Sequence, residues 1–514
     1  MVTKVTFLSL AASQLPGFLR YYPETLQQNR MNRSIKSMCT VPMFFAAVSF
    51  TVGTFIMSGC KKDPVEINPT GNAADATVNN WILENMRDLY YWNDKIPANP
   101  NKSPGPKEFF ESLLYKYNAT ANPQGDRFSI IRESGAELTA SLSGESKTTG
   151  IDFALVLVAQ GSTDVVGVVT YVLPGSPGDL AGMRRNDIFY SVNGISLTTD
   201  QAVLAKAFAD ESVAQTYGFA TVQNGAIVKT STTKTVIPVV FQQNPIFKDS
   251  VYTDGNRKIG YVLYNQFVPG PNGAAGTAYD DRLDAVFDKF KAQGVNELIL
   301  DLRYNGGGAV TSATKLASLI AKGIDGQSKV VFSRREYNST LTPLLQKERG
   351  TDFFNDYFVA KPNNIGSQLS RLYVITTRRT ASASELVING LRPFMTVNTI
   401  GGTTVGKNVG SIALTDTKNK ANKWGMLPIV LKIFNRNNES DYTAGFAPTV
   451  TASEPYGSLF PLGDLRDPML ATAINHMKGL TGGRMAAKPD LAVGSSDDFK
   501  VGGNTMFVEL PALK

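Results

Sequence analysis

The hydrophobic pattern of the chain changes three times along its length. Apolar residues first recur at helical spacing, at Val78, Ile82 and Met86 and again around Phe109 and Phe110. This period predicts two amphipathic helices and a helical N-terminal domain over residues 77–145. From about residue 150 to 240 short β-prone runs alternate with turn residues, with one amphipathic helix at 200–209, which is typical of a small β-rich module.

Strands and helices alternate in the third part of the chain, from about residue 258. Residues 259–267, 298–302, 372–376 and 426–434 are β-prone, and a helical face lies between the first two runs at 283–290. This order predicts an α/β layer with a mostly parallel sheet. After Gly479 the chain is rich in Gly, Ser and Ala, so we expect residues 481–514 to form a flexible tail.

The composition limits which catalytic and metal-binding sites the chain can form. Apolar residues make up 42% of the 514 positions and charged residues 18%, an ordinary globular balance. The chain has one histidine, His476, and two cysteines, Cys39 and Cys60, which excludes a Cys/His metal cluster and a disulfide framework. We expect no metal and no cofactor. A Ser-His-Asp mechanism would require His476, which we predict to be structural.

The amino terminus reads as an export signal. Residues 41–57 are mostly apolar, Arg33 and Lys36 precede them, and Ser58-Gly59-Cys60 follows. This arrangement resembles a bacterial lipobox, so we expect residues 1–59 to be an upstream segment and signal peptide, with Met31 as the true start. Cys60 would carry the lipid, and residues 60–76 would form a tether. A plain transmembrane anchor is the alternative.

The net charge gives no sign of a nucleic-acid partner. Of the formal charge of +7, residues 1–59 contribute +4, which leaves +3 on the remainder. No clustered basic face is visible, whereas nucleic-acid-binding surfaces usually have one. We therefore expect an exported lipoprotein that is anchored in the cell envelope, periplasmic or surface-facing, with the outer membrane as the expected site.

Two short motifs are incomplete. Residues 401–408 nearly match a phosphate-binding P-loop, but Asn408 stands where Ser or Thr should hold magnesium, and a strand-like run follows instead of a helix. Ser312 and Lys315 match the S-x-x-K of penicillin-binding enzymes without the partner motifs, which predicts only a surface turn of a helix.

A third motif is Thr380-Ala-Ser382-Ala-Ser-Glu385, directly after the strand at 372–376. Ser382 and Glu385 have the spacing of a helix capping box. A strand-to-helix turn can equally present a serine hydroxyl beside backbone N–H groups. Lys407 follows 25 residues later, and residues 301–308 predict a strand that ends in a glycine turn whose amides could face an oxyanion.

Together these motifs resemble the carboxyl-terminal processing (tail-specific) proteases, serine peptidases with a Ser-Lys dyad. The resemblance covers about residues 78–480. It implies Ser382 as nucleophile, Lys407 as general base, and the amides of Ala383 and Gly307 as the oxyanion hole. Glu385 would be a supporting acid, although it fits a capping role equally well. Lys407 would act as a base if desolvation lowered its pKa to about 7–8.

The same family contains a PDZ domain, and Gly175-Ser-Pro, Asp187-Ile-Phe and Val192-Asn-Gly match its pattern. The resemblance therefore implies a PDZ domain over residues 146–245 and a catalytic domain over 250–480 with a ClpP/crotonase-like layer. The peptide-binding loop would be Gly150, Ile151, Asp152 and Phe153. An inward-pointing Asp152 would repel a peptide carboxylate.

The predicted fold is thus multidomain α+β, with an N-terminal helical segment, a PDZ module and an α/β catalytic domain. The predicted function is a serine endopeptidase acting on exported polypeptides whose apolar C-terminal tails are captured by the PDZ domain. The alternative is a catalytically silent PDZ-bearing lipoprotein scaffold that binds peptide tails in the cell envelope.

Overall fold

The computed structural model describes residues 73–208, 213–271, 276–324, 329–480, 491–500 and 506–508. The predicted signal peptide, Met31, the lipidation site Cys60 and most of the tether lie outside these residues. Within the described ranges, no helix combines the length and the apolar character needed to cross a membrane.

The N-terminal region is mainly helical, as its apolar period predicts. Its elements are α1 (Ala73–Leu89), α2 (Pro106–Ser112), β1 (Ile130–Arg132) and α3 (Gly135–Leu142). A proline opens α2, where its missing N–H has no helical partner to lose. The Ser134 side chain accepts the Glu137 N–H and so caps α3. The buried faces of α1 and α2 join the main core of the molecule, so this region has no separate core.

The second region is an antiparallel sheet closed by a helix. Its elements are β2 (Glu145–Thr148), β3 (Ile151–Leu157), β4 (Val165–Val172), α4 (Pro177–Leu180), β5 (Ile188–Val192), β6 (Ile195–Ser196), α5 (Gln201–Phe208), β7 (Gln215–Gln223), β8 (Ala226–Val236) and β9 (Val239–Gln242). The strand order β3-β4-β5-β7-β8 leaves β3 with one edge that no strand of this module pairs with. Phe153, Phe189 and Phe208 centre its own apolar core.

The third region contains the alternating strands and helices that the sequence predicts. They are β10 (Ile246–Asp254), β11 (Arg257–Tyr264), α6 (Ala278–Ala292), β12 (Glu297–Asp301), β13 (Gly308–Ala309), α7 (Val310–Ile320), β14 (Val331–Tyr337), α8 (Leu341–Arg349), β15 (Asn355–Tyr357), β16 (Arg371–Thr376), α9 (Ala383–Leu391), β17 (Thr396–Gly401), β18 (Val409–Ser411), β19 (Leu414–Thr415), β20 (Gly425–Leu427), β21 (Ile429–Asn435), β22 (Val450–Thr451) and α10 (Pro468–Met477).

The sheet β10-β11-β12-β16-β17-β22 is parallel from β11 onward, and only its first pair is antiparallel. In its register, Asp301 is level with Ile375, and Thr376 is level with Gly401. Three predicted site segments follow the ends of these strands: the glycine turn follows β12, the serine motif follows β16, and the segment with Lys407 follows β17. Because the carboxyl ends of parallel strands share one edge of the sheet, all three motifs meet there.

The prediction of a flexible tail was wrong for part of residues 481–514. The tail forms β23 (Ala492–Ser495), which pairs with β3, and β24 (Met506–Phe507), which lies between β13 and β18. The Met506 and Phe507 side chains are buried. The Gly/Ser/Ala-rich composition hid these two short pairing segments, since their partners are remote in sequence.

Two smaller predictions also need correction. Ser312 lies in the buried interior of α7 and not on a surface turn, while Lys315 pairs with Asp280 at 2.6 Å. The strand expected over residues 426–434 is divided into β20 and β21 at Pro428. Residues 401–408 run into β18 and open no helix, which agrees with the rejection of a P-loop.

Candidate active site

Ser382 occupies the turn between β16 and α9. Its backbone has φ 68° and ψ −116°, a left-handed region that non-glycine residues rarely adopt. Such strain persists only where surrounding contacts fix it, and it is common at a nucleophile that follows a strand and precedes a helix. The side chain is fully buried, and its Oγ has no hydrogen-bond partner among the residues that the structure describes.

Glu385 connects the serine turn to the lysine segment. Its buried Oε2 accepts the backbone N–H groups of Ser382 and Lys407, each at 2.8 Å. Its Oε1 accepts the Gly406 N–H at 2.6 Å and the Thr404 hydroxyl at 2.5 Å. Burial raises the pKa of Glu385, and these four donors oppose that rise. The bonds therefore extend beyond a helix cap and hold both motifs on one carboxylate.

Lys407 is only 1% exposed, although it is charged at neutral pH in water. Burial lowers the pKa of Lys407 to about 7, against the opposing effects of the Asp126 and Glu385 charges. Its Nζ lies 4.9 Å from the ring centroid of Phe128. A lysine with this pKa is a neutral amine in a substantial fraction of molecules at pH 7, as a general base must be.

The two expected oxyanion donors differ in their surroundings. Ala383 begins α9, and the first N–H groups of a helix have no partner within the helix. The Gly307 N–H, by contrast, donates to Asn305 Oδ1 at 2.8 Å, so in this structure that amide is already engaged. In this arrangement the Gly307 amide is therefore not available to an oxyanion, and the role of the Ala383 amide stays a prediction.

Asn305 is a site residue that the sequence reasoning missed. Its carbonyl accepts the Ala381 N–H at 3.1 Å and the Ser384 hydroxyl at 3.0 Å, and its Nδ2 donates to the Tyr264 carbonyl at 2.8 Å. The glycine turn after β12 is thereby tied to the serine turn after β16. The Asp-Leu-Arg-x-Asn pattern was the available signal, since an asparagine before a glycine turn can bond locally to the backbone.

The N-terminal region forms one wall of the site. The Arg127 guanidinium donates to the carbonyls of Gly406 at 3.1 Å and Thr443 at 3.0 Å, next to Lys407. Asp126, whose Oδ2 accepts the Tyr90 hydroxyl at 2.8 Å, precedes it. An open cleft of about 580 Å³ lies beside this wall. Its lining includes Trp92, Arg127, Phe128, Gly406, Asn408 and Thr443.

The predicted peptide-binding loop of the second region also contacts the serine turn. Asp152 on β3 is buried and accepts both terminal nitrogens of Arg379, at 2.7 and 2.8 Å, and Lys500 Nζ at 2.7 Å. Burial favours a higher pKa for Asp152, but the two cations outweigh it and hold the pKa well below its usual value. Its charge is therefore paired, and the expected repulsion of a peptide carboxylate lacks its cause.

Arg303 and His476 contact partners that stabilise the fold. The buried Arg303 pairs with Asp301 at 2.7 Å and also with Glu454 and Asp467. His476 lies in α10, where its Nδ1 is 3.2 Å from the hydroxyl of Tyr373. In the part of the chain that the structure describes, no group of three or more His, Cys, Asp or Glu side chains could hold a metal ion.

Fold and site together define the class of a PDZ-containing serine peptidase. Three family models match the chain: Peptidase family S41 over residues 258–451, the Peptidase S41 N-terminal domain over 77–130, and a PDZ domain over 168–212. The chain therefore contains the peptidase domain of family S41, preceded by that family's N-terminal domain and a PDZ domain.

Known proteins with similar sequences agree with this assignment. The chain is 27% identical over 248 residues to the "Probable CtpA-like serine protease" of Staphylococcus aureus strain COL, which covers 47% of this chain and 42% of that protein. It is 25% identical over 278 residues to the carboxyl-terminal-processing protease of Picosynechococcus, covering 53% and 57%. The chain thus spans about half the length of the curated relatives it matches.

A solved structure extends the similarity to most of the fold. The chain is similar to the "Putative S41 protease from Bacteroides fragilis NCTC 9343", with 26% identity and a TM-score of 0.61. The superposition covers 78% of this chain and 97% of the other.

Proposed function

We propose that this chain is a serine endopeptidase in which Ser382 is the nucleophile and Lys407 the general base. The observation that carries the proposal is the shared carboxylate oxygen of Glu385, which binds the amides of both residues. The buried lysine, with its pKa lowered to about 7, supplies the required base at neutral pH.

The reaction proceeds in two stages. The neutral Lys407 amine takes the proton of the Ser382 hydroxyl as Oγ attacks the scissile carbonyl, and the Ala383 N–H stabilises the negative oxygen that forms. The protonated lysine then gives its proton to the leaving amine, which leaves an acyl-enzyme. A water molecule, deprotonated by the same amine, attacks the ester and releases the new C-terminus with Ser382 restored.

The substrates are polypeptides presented through an apolar C-terminal tail. A peptide adds as a strand to the edge of β3, where main-chain hydrogen bonds supply affinity and the side chains of Ile151, Phe208 and Tyr217 select an apolar residue. Capture beside the active site raises the effective concentration of the scissile segment. The protein acts in the cell envelope, held to a membrane by a lipid on Cys60.

The test compares cleavage of an unstructured fluorogenic polypeptide with an apolar tail by the full chain and its variants. Ser382→Ala and Lys407→Met are expected to lower kcat by at least about a thousandfold, because each removes a group that acts as part of one unit. The exposed residues Ser458 and Lys347 supply matched controls, Ser458→Ala and Lys347→Met, which should retain full activity.

Equal, slow cleavage by the wild type and all four variants would contradict the peptidase assignment. Peptide binding without cleavage would then favour the alternative function, a PDZ-bearing scaffold that holds peptide tails.

A further inference from the structure

The C-terminal part of this chain pairs with the open edge of the PDZ sheet. We define the tail segment as residues 491–500 together with 506–508. Its strand β23 is antiparallel to β3, with Ala492 opposite Val156 and Ser495 opposite Ala154. The Leu157 N–H also donates to the Leu491 carbonyl at 2.9 Å. The tail segment therefore runs toward the loop that begins at Gly150.

At that loop the tail segment fills the space between β3 and α5. The Phe499 ring lies 4.6 Å from that of Phe208 on α5, which in turn stacks on Phe153 at 5.0 Å. Ser496 Oγ and Lys500 Nζ both donate to Asp152, at 2.9 and 2.7 Å. The space that remains there is about 30 Å³, against about 580 Å³ in the cleft beside Lys407, so the tail segment leaves little of this end open.

The same tail segment then reaches the candidate active site. Its strand β24 is parallel to β13, with Met506 opposite Gly308, and Phe507 is also opposite Ser411 on β18. The Val508 N–H donates to the Ser411 carbonyl at 3.0 Å. Because β13 follows the glycine turn and β18 begins two residues after Lys407, β24 lies between the two strands that flank the site.

The tail segment is also bonded to the serine turn. Asp497 accepts the Nε of Arg379 at 2.6 Å, while Asp152 accepts the two terminal nitrogens of the same guanidinium. Arg379 precedes Ser382 by three residues. Departure of the tail segment would therefore remove one of the two carboxylates that hold this arginine.

We propose that the tail segment is an intramolecular peptide ligand that occupies the peptide-binding edge of β3 and the position between β13 and β18 beside the active site, and that it inhibits the enzyme. The proposal rests on the proposed function for the identity of β3 as the substrate edge. Main-chain pairing accepts many sequences, so an incoming peptide tail competes with the tail segment for β3. A tethered ligand has an effective concentration in the millimolar range, and a free peptide must overcome it.

The test releases the tail segment after folding is complete. A recognition sequence for a specific protease is inserted after the exposed Leu480 in the full chain carrying Ser382→Ala, so that the chain folds with its tail segment in place. Binding of a fluorescent decapeptide ending in Leu-Ala-Ala is measured by anisotropy before cutting and after cutting and gel filtration. The same peptide with a C-terminal amide is the control probe.

We expect affinity for the free-carboxylate peptide to rise about tenfold or more after release, because the tethered competitor is gone. Unlabelled synthetic peptide of residues 491–508 should reverse the gain. Unchanged affinity after the fragment has left would overturn the proposal, as would a fragment that stays bound against excess peptide.

Uncut point variants provide a second measurement that does not depend on the fragment leaving. Phe499→Ala should strengthen peptide binding, since it removes the contact with Phe208. The matched control is Val493→Ala on β23, whose side chain is largely exposed and should have no effect. Equal binding by both variants and the parent, with unchanged melting temperatures, would count against the tail segment as a ligand.

Activity separates this proposal from the proposed function. With Ser382 intact, release should raise the cleavage rate about tenfold. Tighter peptide binding without any cleavage would contradict the proposed peptidase activity and would still support the tail segment as a peptide ligand. Cleavage at the same rate before and after release would support the peptidase activity and contradict inhibition by the tail segment.

Discussion

At the residue scale, the surroundings of Lys407 determine its protonation state. Lys407 loses its hydration on burial, which disfavours its charged form, while Asp126 and Glu385 favour that form. The balance gives a pKa of about 7. The two charge effects can be removed one at a time by substitution, because each belongs to a single side chain, Asp126 or Glu385.

Cleavage should rise with pH through about 7, as Lys407 loses its proton. Asp126→Asn should move the midpoint of kcat/KM to lower pH, because it removes a negative charge that raises the lysine pKa. The measurement is the pH profile between 5 and 9. Asp94→Asn, which changes an exposed ion pair, should leave the midpoint unchanged, and a shift to higher pH in Asp126→Asn would contradict the argument.

Lys407 should also give stability a characteristic pH dependence. Between pH 7 and its ordinary pKa of 10.5, the unfolded chain holds a proton that the folded chain has lost. The free energy of unfolding therefore rises with pH in this window, by up to about 1.4 kcal/mol per unit. Lys407→Met should lack this contribution, so the difference between variant and wild type, measured by urea denaturation, should shrink from pH 7 to 10. A difference that stays constant from pH 7 to 10 would contradict this contribution of Lys407 to stability.

At the element scale, Glu385 joins the start of α9 to the segment between β17 and β18. Its two oxygens accept four donors from both elements, so the relative position of serine and lysine depends on one side chain. This makes Glu385 a positioning residue. A cap alone would bond only to the first turn of α9.

Glu385→Gln should lower kcat by about ten- to a hundredfold, because one side of the amide cannot accept the N–H groups that it faces. The same change removes a negative charge that raises the lysine pKa, so the pH midpoint should fall. Steady-state kinetics across pH measures both effects. The control is Glu348→Gln on the exposed face of α8, and a lowered kcat with an unmoved midpoint would restrict Glu385 to a structural role.

At the scale of the whole molecule, helices α1 and α2 of the N-terminal region have no apolar core of their own. The helices of the N-terminal region share one cluster with the catalytic sheet, whereas the PDZ module has its own. The wall around Lys407 is thus part of the catalytic unit, and damage to α1 should reach the active site.

Ile82→Ala in α1 should destabilise the catalytic unit by about 2–4 kcal/mol, the usual cost of such a cavity in a fully buried position. Denaturant unfolding in the Ser382→Ala background, monitored by fluorescence, should show one shifted transition for both regions. Val158→Ala, a partly exposed position of the PDZ region, should change stability little. Independent loss of α1 at lower denaturant would contradict the shared core.

The sequence was sufficient for the elements whose signal is local, and for the three motifs at the ends of β12, β16 and β17. It was insufficient wherever a partner is distant. The pairing of Asp152 with Arg379 joins positions 227 residues apart. The bond from Ser496 to Asp152, where the tail segment meets β3, joins positions 344 residues apart. The bond from Gly307 to Asn305 is local, but its geometry depends on how the serine turn holds Asn305.

The left-handed backbone of Ser382 implies a conflict between reactivity and durability. A serine in this conformation costs on the order of 1–3 kcal/mol, which glycine would not incur. Ser382→Gly should consequently melt at a higher temperature than Ser382→Ala while being equally inactive, as differential scanning calorimetry would reveal. The turn thus keeps a hydroxyl at a cost in stability that a glycine would avoid.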